Sequence, residues 1–288
     1  MTEKEYLVGL YAFTSFGPKR LSLLLSFFGS AKNIWNVSKD ELINIGLSEN
    51  MISSYFIHKK RFNFVNYFRN LKKLSVDVIS YKDENYPKNL LGLEDAPIIL
   101  YIKGKLEEED IKSIAIVGSR RNTLYGETTT KIFTKDLVKA GFTIVSGLAR
   151  GIDTLAHESA LKENGRTIAV LGCGLDQVYP PENYKLADLI SKNGAVISEY
   201  PLGYQIKASN FVNRNRIISG ISKATLIIEG TEKSGTLLTA SQAALQGKTV
   251  YAVPGDIRSF LSAAPHFLIR DGATLVRSAK DIIDDFIV

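Results

Sequence analysis

The sequence predicts an α/β protein built on a doubly wound, mostly parallel β-sheet, with a small helical domain before it. From residue 111 onward, short apolar runs alternate with helical segments. These runs are continuously apolar, which is typical of strands that are covered on both faces. Five of the seven runs end on glycine, at the edge of the sheet where such folds bind their ligands.

The chain divides into three parts by pattern. The predicted strands are 113–118, 142–147, 167–172, 195–200, 224–230, 249–255 and 273–276. Segments between them, such as TTTKIFTKDLVKAG and TLLTASQAALQG, have the length of crossover helices. Residues 1–75 carry leucine and aromatic residues at helical spacing, which predicts a helical domain. Residues 76–110 have strand character and are expected to connect this domain to a core at 111–288.

The helical domain contains a candidate helix-hairpin-helix of SAM-like type. Gly17 is expected to form a turn, and Pro18 suits the first position of the next helix. Ser38 and Glu41 form a capping box for a further helix. Such hairpins can present helix N-termini to a DNA phosphate, but they are also ordinary packing units. Both interpretations remain open.

Charge is unevenly distributed along the chain. The net charge is +6, yet residues 200–228 contain four bases and no acid. A concentrated basic strip favours a polyanionic partner, although a solvated basic face has the same composition. The lone Cys173 fits a reducing compartment, and neither an export signal nor an apolar stretch of about 20 residues is present. We therefore expect a cytoplasmic protein without membrane association.

The predicted strand ends bring glycine, serine and basic residues to one edge of the sheet. They are Gly118, Ser119, Arg120, Gly147, Arg150, Gly172, Gly174, Lys233 and Gly255. Glycine allows a phosphate to approach the backbone, and arginine offers a planar fork of donors. A turn at 230–236 precedes a predicted helix, whose N-terminal N–H groups lack partners. Lys233, Ser234, Gly235 and Thr236 are therefore candidate phosphate ligands, although this turn is also an ordinary strand-to-helix connection.

Enzyme signatures are weak in this sequence. The first strand ends in GSRRN and not in the glycine pattern of a dinucleotide site. Gly247-Lys248-Thr249 imitates the end of a P-loop, but Gln242 stands where the loop needs glycine. The three histidines are far apart, and a single cysteine cannot build a zinc site. We expect no cofactor, no metal and no catalytic residues. The strand-end acids Glu199 and Glu229 are expected to accept hydrogen bonds from neighbouring loops.

The motifs together resemble a known family. GSRR, SGLARGIDTLAH, GCGLDQVYPPEN, SEYP, FVNRNRIISG, KSGTLLTA and AVPG occur in the order and spacing of the DNA-processing protein A family, also called Smf. The resemblance covers about residues 82–285. It implies a Rossmann-like core that binds single-stranded DNA, forms a homodimer and delivers RecA recombinase to the strand during natural transformation. It implies no turnover.

The resemblance also assigns roles to residues. It implies DNA contacts for Arg120, Lys207, Phe211, Arg214, Asn215 and Arg216. Val212 stands where the family usually has proline. Phe211 would stack a base or pack in the core, and one of the two arginines is expected to pair with Glu199 or Glu229. Self-association is implied for the C-terminal part of the core, where the apolar candidates are Phe267, Leu268, Ile269 and Leu275.

Two other functions remain as alternatives. A nucleotide phosphoribohydrolase of the lysine-decarboxylase-like (LOG) superfamily would share a related core. Its P-G-G-x-G-T-x-x-E signature is matched only at Gly235-Thr236, and Thr239 follows where a glutamate belongs. A protein-interaction adaptor would use the basic strip only for solubility.

Overall fold

The computed structural model describes residues 1–286, so the last two residues of the predicted core lie outside the described part. Six helices come first. They are α1 (Glu3–Tyr11), α2 (Gly17–Phe28), α3 (Ala31–Asn36), α4 (Lys39–Asn44), α5 (Glu49–Arg61) and α6 (Phe64–Lys73). Gly17 forms its turn with a φ of 62°, and the Ser38–Glu41 capping box begins α4. The predicted helical start of the chain is confirmed.

One nine-stranded sheet follows. Its strands are β1 (Asp77–Ser80), β2 (Ile99–Gly104), β3 (Ser113–Val117), β4 (Thr143–Ser146), β5 (Thr167–Leu171), β6 (Gly194–Ser198), β7 (Ala224–Ile227), β8 (Thr249–Ala252) and β9 (Thr274–Leu275). Seven further helices connect or follow them. They are α7 (Leu124–Lys139), α8 (Ile152–Lys162), α9 (Tyr184–Asn193), α10 (Ala208–Ile221), α11 (Gly235–Leu245), α12 (Ala263–Arg270) and α13 (Ala279–Asp284).

The strand order is β1-β2-β6-β5-β4-β3-β7-β8-β9. All seven predicted strands form, and β3 to β9 pair in parallel. The segment predicted as a connector supplies β1 and β2, which extend the same sheet in antiparallel pairing, with Tyr101 opposite Ser198. The sheet is therefore mixed, with its parallel part forming the centre.

Helices cover both faces of the sheet, as the doubly wound prediction requires. One face packs against α10, α11 and α12, and the other packs against α7, α8 and α13. The expectation of full burial is wrong for β9, because both of its residues are exposed at the edge of the sheet. A third apolar cluster joins the N-terminal helices, through residues such as Trp35 and Tyr55, to Ile99 and Tyr101 of β2.

Within residues 1–286, no helix combines the length and the apolar content that a membrane crossing requires.

Candidate functional site

The carboxyl ends of β3, β4 and β5 meet the N-terminal half of α10 around a shallow depression. This strand-end depression is lined by Arg120, Gly147, Ala149, Arg150, Tyr179, Pro180, Phe211 and Arg214. Five of these eight residues were among the candidate ligands. The depression therefore lies at the predicted edge of the sheet, where several loops converge because the parallel strands all end there.

Arg214 forms the floor of the strand-end depression. The residue is only 3% exposed, and its Nη1 donates to the carbonyl oxygens of Gly147 and Val170. Within residues 1–286 it forms no salt bridge, and its Nε has no hydrogen-bond partner. Burial lowers the pKa of this guanidinium to about 10, so it is still charged at neutral pH. A buried guanidinium that forms no salt bridge favours the approach of an anion.

Two further arginines, Arg120 and Arg150, line the same depression. Arg120 follows β3 and is exposed, without an ion-pair partner in the described chain. Arg150 follows β4 and pairs at the surface with Glu182, so an incoming anion would compete with that carboxylate. Exposed pairs of this kind are weak. The depression can therefore present three guanidinium groups to one phosphate-bearing ligand.

An aromatic pair borders the same depression. The rings of Tyr179 and Phe211 lie 5.2 Å apart between centroids, at an interplanar angle of 45°. Tyr179 is 38% exposed, while Phe211 is half-buried against Gly172. Tyr179 is not among the residues predicted from the sequence, although it lies in the GCGLDQVYPPEN motif. An aromatic residue in a long strand-end loop was the signal that could have identified it.

The glycines at the strand ends make room for protein side chains. That they also admit a phosphate stays a prediction. A Cβ on Gly147 would lie 2.5 Å from Cζ of Arg214, and one on Gly172 would lie 2.9 Å from the Phe211 ring. A Cβ on Gly118 would lie 2.6 Å from the Ile152 side chain. Gly172 thus admits Phe211, and Gly147 admits the arginine on the floor of the depression.

The loop between β4 and α8 is held in place by an acid. Asp153 accepts hydrogen bonds from the backbone N–H groups of Gly147 (3.1 Å) and Ala149 (3.3 Å). The same carboxylate lies close enough to raise the pKa of Arg214. Leu148, between the two bonded residues, adopts a φ of 56° that is rare for a side chain of its size. Asp153 therefore fixes the loop that carries Arg150. It lies within the first turn of α8, whose N-cap is Gly151.

Arg216 lies on the other side of α10, away from the strand-end depression. Its Nη2 donates to the carboxylate of Glu199, and its Nη1 donates to the carbonyl oxygen of Asp95. The Tyr11 hydroxyl donates to the same Glu199 carboxylate at 3.3 Å. The expected internal arginine–glutamate pair is thus Arg216–Glu199. This arginine joins α10 to the N-terminal helices and does not face the open edge.

The remaining candidates are spread along the edge. Lys207 precedes α10 and is exposed, as are Lys233 and Gly235. The Ser234 hydroxyl lies against Gly230, and Thr236 is buried. Asn215 donates to the Gly235 carbonyl oxygen at 3.5 Å, which links α10 to α11. Ser119 accepts from the Arg121 N–H at 3.1 Å. These residues border the depression or extend it, but they do not form its floor.

The two strand-end acids behave as expected. Glu199 accepts from Arg216 and Tyr11. Glu229 accepts from the backbone N–H of Thr123 at 2.9 Å and so supports the start of α7. No group of three or more metal-ligating side chains occurs in the described chain.

His157 lies buried beside this site, and the pH dependence of stability tests the shift of its pKa. Its Nδ1 is 2.7 Å from the Thr167 hydroxyl, and its Nε2 has no partner among the described residues. Burial, assisted by the charge of Arg214, lowers the pKa of His157 to about 3. The folded protein thus leaves this ring neutral at a pH where the unfolded chain protonates it.

We therefore expect the free energy of unfolding to fall as the pH drops below about 6.5, by up to about 1.4 kcal/mol per pH unit from this residue alone. The loss ends near pH 3, where both states bind the proton. His157→Gln should flatten the dependence between pH 6.5 and 4 in urea titrations. The difference between the two proteins at pH 8 measures the pH-independent cost of the substitution. Parallel pH profiles would contradict the assignment.

The fold and the site define an α/β protein whose mixed sheet carries, beneath an open basic edge, a buried arginine that forms no salt bridge with the described residues. The chain belongs to the DNA recombination-mediator protein A family, whose family model matches residues 77–287. The resemblance found in the motifs is therefore confirmed.

Several relatives show the extent of this similarity. The chain is 44% identical to protein Smf of Escherichia coli over 72% of its own length and 56% of that protein. It is 41% identical to the DNA processing protein DprA of Streptococcus pneumoniae over 72% of this chain and 73% of that one. This chain thus matches little more than half the length of the Escherichia coli relative.

Two solved structures resemble this fold to different extents. The X-ray structure of DNA processing protein A from Streptococcus pneumoniae matches with a TM-score of 0.84 and 32% identity, over 99% of this chain and 98% of that one. A structure of DNA processing protein A from Helicobacter pylori, described for its single-stranded DNA binding mode, matches with a TM-score of 0.65 and 30% identity. That match covers 74% of this chain and 95% of the other.

Proposed function

We propose that this protein binds single-stranded DNA along the open edge of its sheet, without sequence preference and without chemical turnover. The observation that carries the proposal is Arg214, a buried guanidinium at an open depression. Among the described residues, its hydrogen bonds go only to carbonyl oxygens. The Helicobacter pylori relative, described as a single-stranded DNA binder, supports the same ligand.

The chemistry of the depression fits a single strand better than a duplex. The exposed groups of Arg120 and Lys207 can neutralise phosphates, and the aromatic pair can stack on an unpaired base. Bases of a duplex are already stacked and would not reach these rings. The alternative function as a nucleotide hydrolase finds no support in α11, whose first turn carries no acidic residue.

Salt dependence tests the proposal directly. Arg120→Ala or Lys207→Ala should weaken binding equally for oligo-dT, oligo-dC and mixed sequences, because phosphates carry no sequence information. Each variant should also lower the slope of log affinity against log salt by about 0.7, the value for one phosphate contact on a single strand. Fluorescence anisotropy at four or five salt concentrations measures both quantities.

Lys139→Ala is the matched control for this experiment. Lys139 is exposed at the far end of α7, a helix of 16 residues and therefore about 24 Å long. The substitution removes the same charge at a distance from the edge, so affinity and slope should stay close to those of the unchanged protein. If all three variants behaved alike, only net charge would matter and the site would be elsewhere.

The wider role in this proposal is that of a cytoplasmic mediator that protects incoming DNA and loads RecA recombinase onto it. Family membership supports this role. The open edge suits such a transfer, because a strand held in a shallow depression stays accessible to a second protein.

We also propose a homodimer that uses the C-terminal part of the core. Of the four apolar candidates, Phe267 and Leu275 are exposed by 46% and 44%, whereas Leu268 is buried in the core and Ile269 packs against it. Ile257 and Phe260, which the sequence analysis missed, are almost fully exposed near Phe267. Large apolar side chains grouped at a surface favour a protein interface.

A further inference from the structure

A second concave surface lies on the other side of α10, between that helix and the N-terminal helices. We call it the tyrosine cleft and define it by Phe13, Tyr200, Tyr204, Asn213, Arg216 and Gln242. The residues of α10 divide between the two sites. Phe211 and Arg214 face the strand-end depression, whereas Asn213 and Arg216 line the tyrosine cleft.

The charges of the tyrosine cleft are already neutralised. Arg216 pairs with Glu199 and lies near Asp95, and Lys19 at the mouth pairs with Glu94. A phosphate would meet acids here as well as bases. The cleft therefore differs from the strand-end depression, where Arg214 forms no salt bridge with any described residue.

The rest of the lining suits a flat, uncharged group that forms hydrogen bonds. The rings of Tyr200 and Tyr204 are stacked, with centroids 4.9 Å apart and an interplanar angle of 11°. Tyr200 is buried and Tyr204 is partly buried, and no other aromatic ring of the described chain packs on Tyr204. A nucleobase could continue this stack. The amides of Asn213 and Gln242 lie along the same cleft and offer donors and acceptors.

The N-terminus of α10 lies between the two sites. Lys207 is exposed there, no side chain caps the helix, and its first turn has no acidic residue. A polynucleotide leaving the strand-end depression can cross this end of the helix with its phosphates near Lys207. The crossing is about 10 Å, the width of a helix, and therefore within the reach of a few nucleotides.

We propose that the tyrosine cleft is a base-binding subsite, which receives an unstacked nucleobase of the single strand held at the open edge. The inference rests on the proposed function, because the strand must first lie in the strand-end depression. Stacking of a base on Tyr204 provides the binding energy, and the cleft discriminates against phosphate.

Photocrosslinking locates the base without altering the protein. Oligo-dT strands carrying one 5-iodouracil, placed at each position in turn, are irradiated on the full chain, and the attached peptides are identified by mass spectrometry. We expect some positions to crosslink to Tyr179 or Phe211, and a position a few nucleotides away to crosslink to Tyr200 or Tyr204.

Removing either the tyrosine ring or the base measures how much the same contact contributes to affinity. Tyr204→Ala should weaken oligo-dT binding by roughly 5- to 100-fold, as expected for loss of one base–aromatic stack. The salt slope should not change, because no phosphate contact is lost. An abasic residue at the crosslinking position should weaken binding to the unchanged protein by a similar factor, and it should have no further effect on Tyr204→Ala.

Phe27→Ala is the control for loss of an exposed aromatic ring, because Phe27 is 69% exposed on α2 and is not part of the cleft. Its affinity should be unchanged. Crosslinks confined to Tyr179 and Phe211, with no abasic effect elsewhere, would overturn the base-binding subsite and leave the proposed function intact. Absence of single-strand binding by the unchanged protein would instead overturn the proposed function. Because crosslinking and abasic scanning need no variant, poor folding of Tyr204→Ala would not prevent a decision.

Discussion

Replacing Arg216 with methionine should lower the free energy of unfolding by about 3–5 kcal/mol, the cost of leaving a buried carboxylate without its partner. Arg216 and Glu199 have side chains that are only 11% and 7% exposed. Burial already raises the pKa of Glu199, and Arg216 opposes that rise. Without the guanidinium, the Tyr11 hydroxyl is the one donor that the carboxylate retains among the described residues. Urea titration at pH 7 measures the loss.

The double variant Arg216→Met with Glu199→Gln separates the lost pair from lost packing. Removing both charges should recover most of the stability, since an uncharged amide costs much less to bury than a carboxylate. Lys131→Met is the surface control, because its i,i+4 pair with Glu127 is solvent-exposed and should contribute little. A double variant that is no more stable than Arg216→Met would show that the arginine acts through packing alone.

This network also connects the two parts of the chain. Glu199 bonds to Arg216 of α10 and to Tyr11 of α1, while Tyr67 of α6 donates to the Tyr101 hydroxyl of β2 at 3.1 Å. The helices are therefore tied to the sheet by buried polar contacts as well as by the shared apolar cluster. These contacts hold the N-terminal helices beside α10, where both line the tyrosine cleft.

The parallel part of the sheet was predictable because each of its strands is an apolar run. Such a run can be recognised without knowing which strands lie beside it. The extension by β1 and β2 was not, because an antiparallel edge pairing depends on which strand lies beside it, here β6. The exposure of β9 also depends on the position of the strand in the sheet. Its sequence, ATLV, resembles a buried strand, and only its position at the end of the strand order leaves it uncovered.

The roles of two arginines show what could not be predicted about the site from the sequence. Arg214 and Arg216 are two residues apart in one basic motif, so composition treats them alike. On a helix they point about 200° apart, and one faces the strand ends while the other faces the N-terminal helices. Assigning the two roles to Arg214 and Arg216 requires knowing which face of α10 packs against β5. Tyr179 was missed because its neighbours at the depression are distant in sequence.

Gly147→Ala should damage binding and stability together, because the added methyl group would occupy the space of the Arg214 guanidinium. An ideal Cβ there would lie 2.5 Å from Arg214 Cζ. The guanidinium must then leave the carbonyl oxygens of Gly147 and Val170, which lose a charged donor in a buried site. We expect a loss of about 1–3 kcal/mol in the free energy of unfolding and a decrease of roughly 10- to 100-fold in affinity for single-stranded DNA.

Gly235→Ala is the matched control, since a Cβ on Gly235 meets no atom within 4 Å and its backbone does not require glycine. Its stability should be unchanged or slightly higher at the start of α11. The double variant Gly147→Ala with Arg214→Ala tests the mechanism. Once the arginine is removed, the methyl group has room, so the stability cost of Gly147→Ala should largely disappear. An equal loss of stability in both backgrounds would show that Gly147 is needed for its backbone conformation. The buried guanidinium would then not explain why glycine stands at this position.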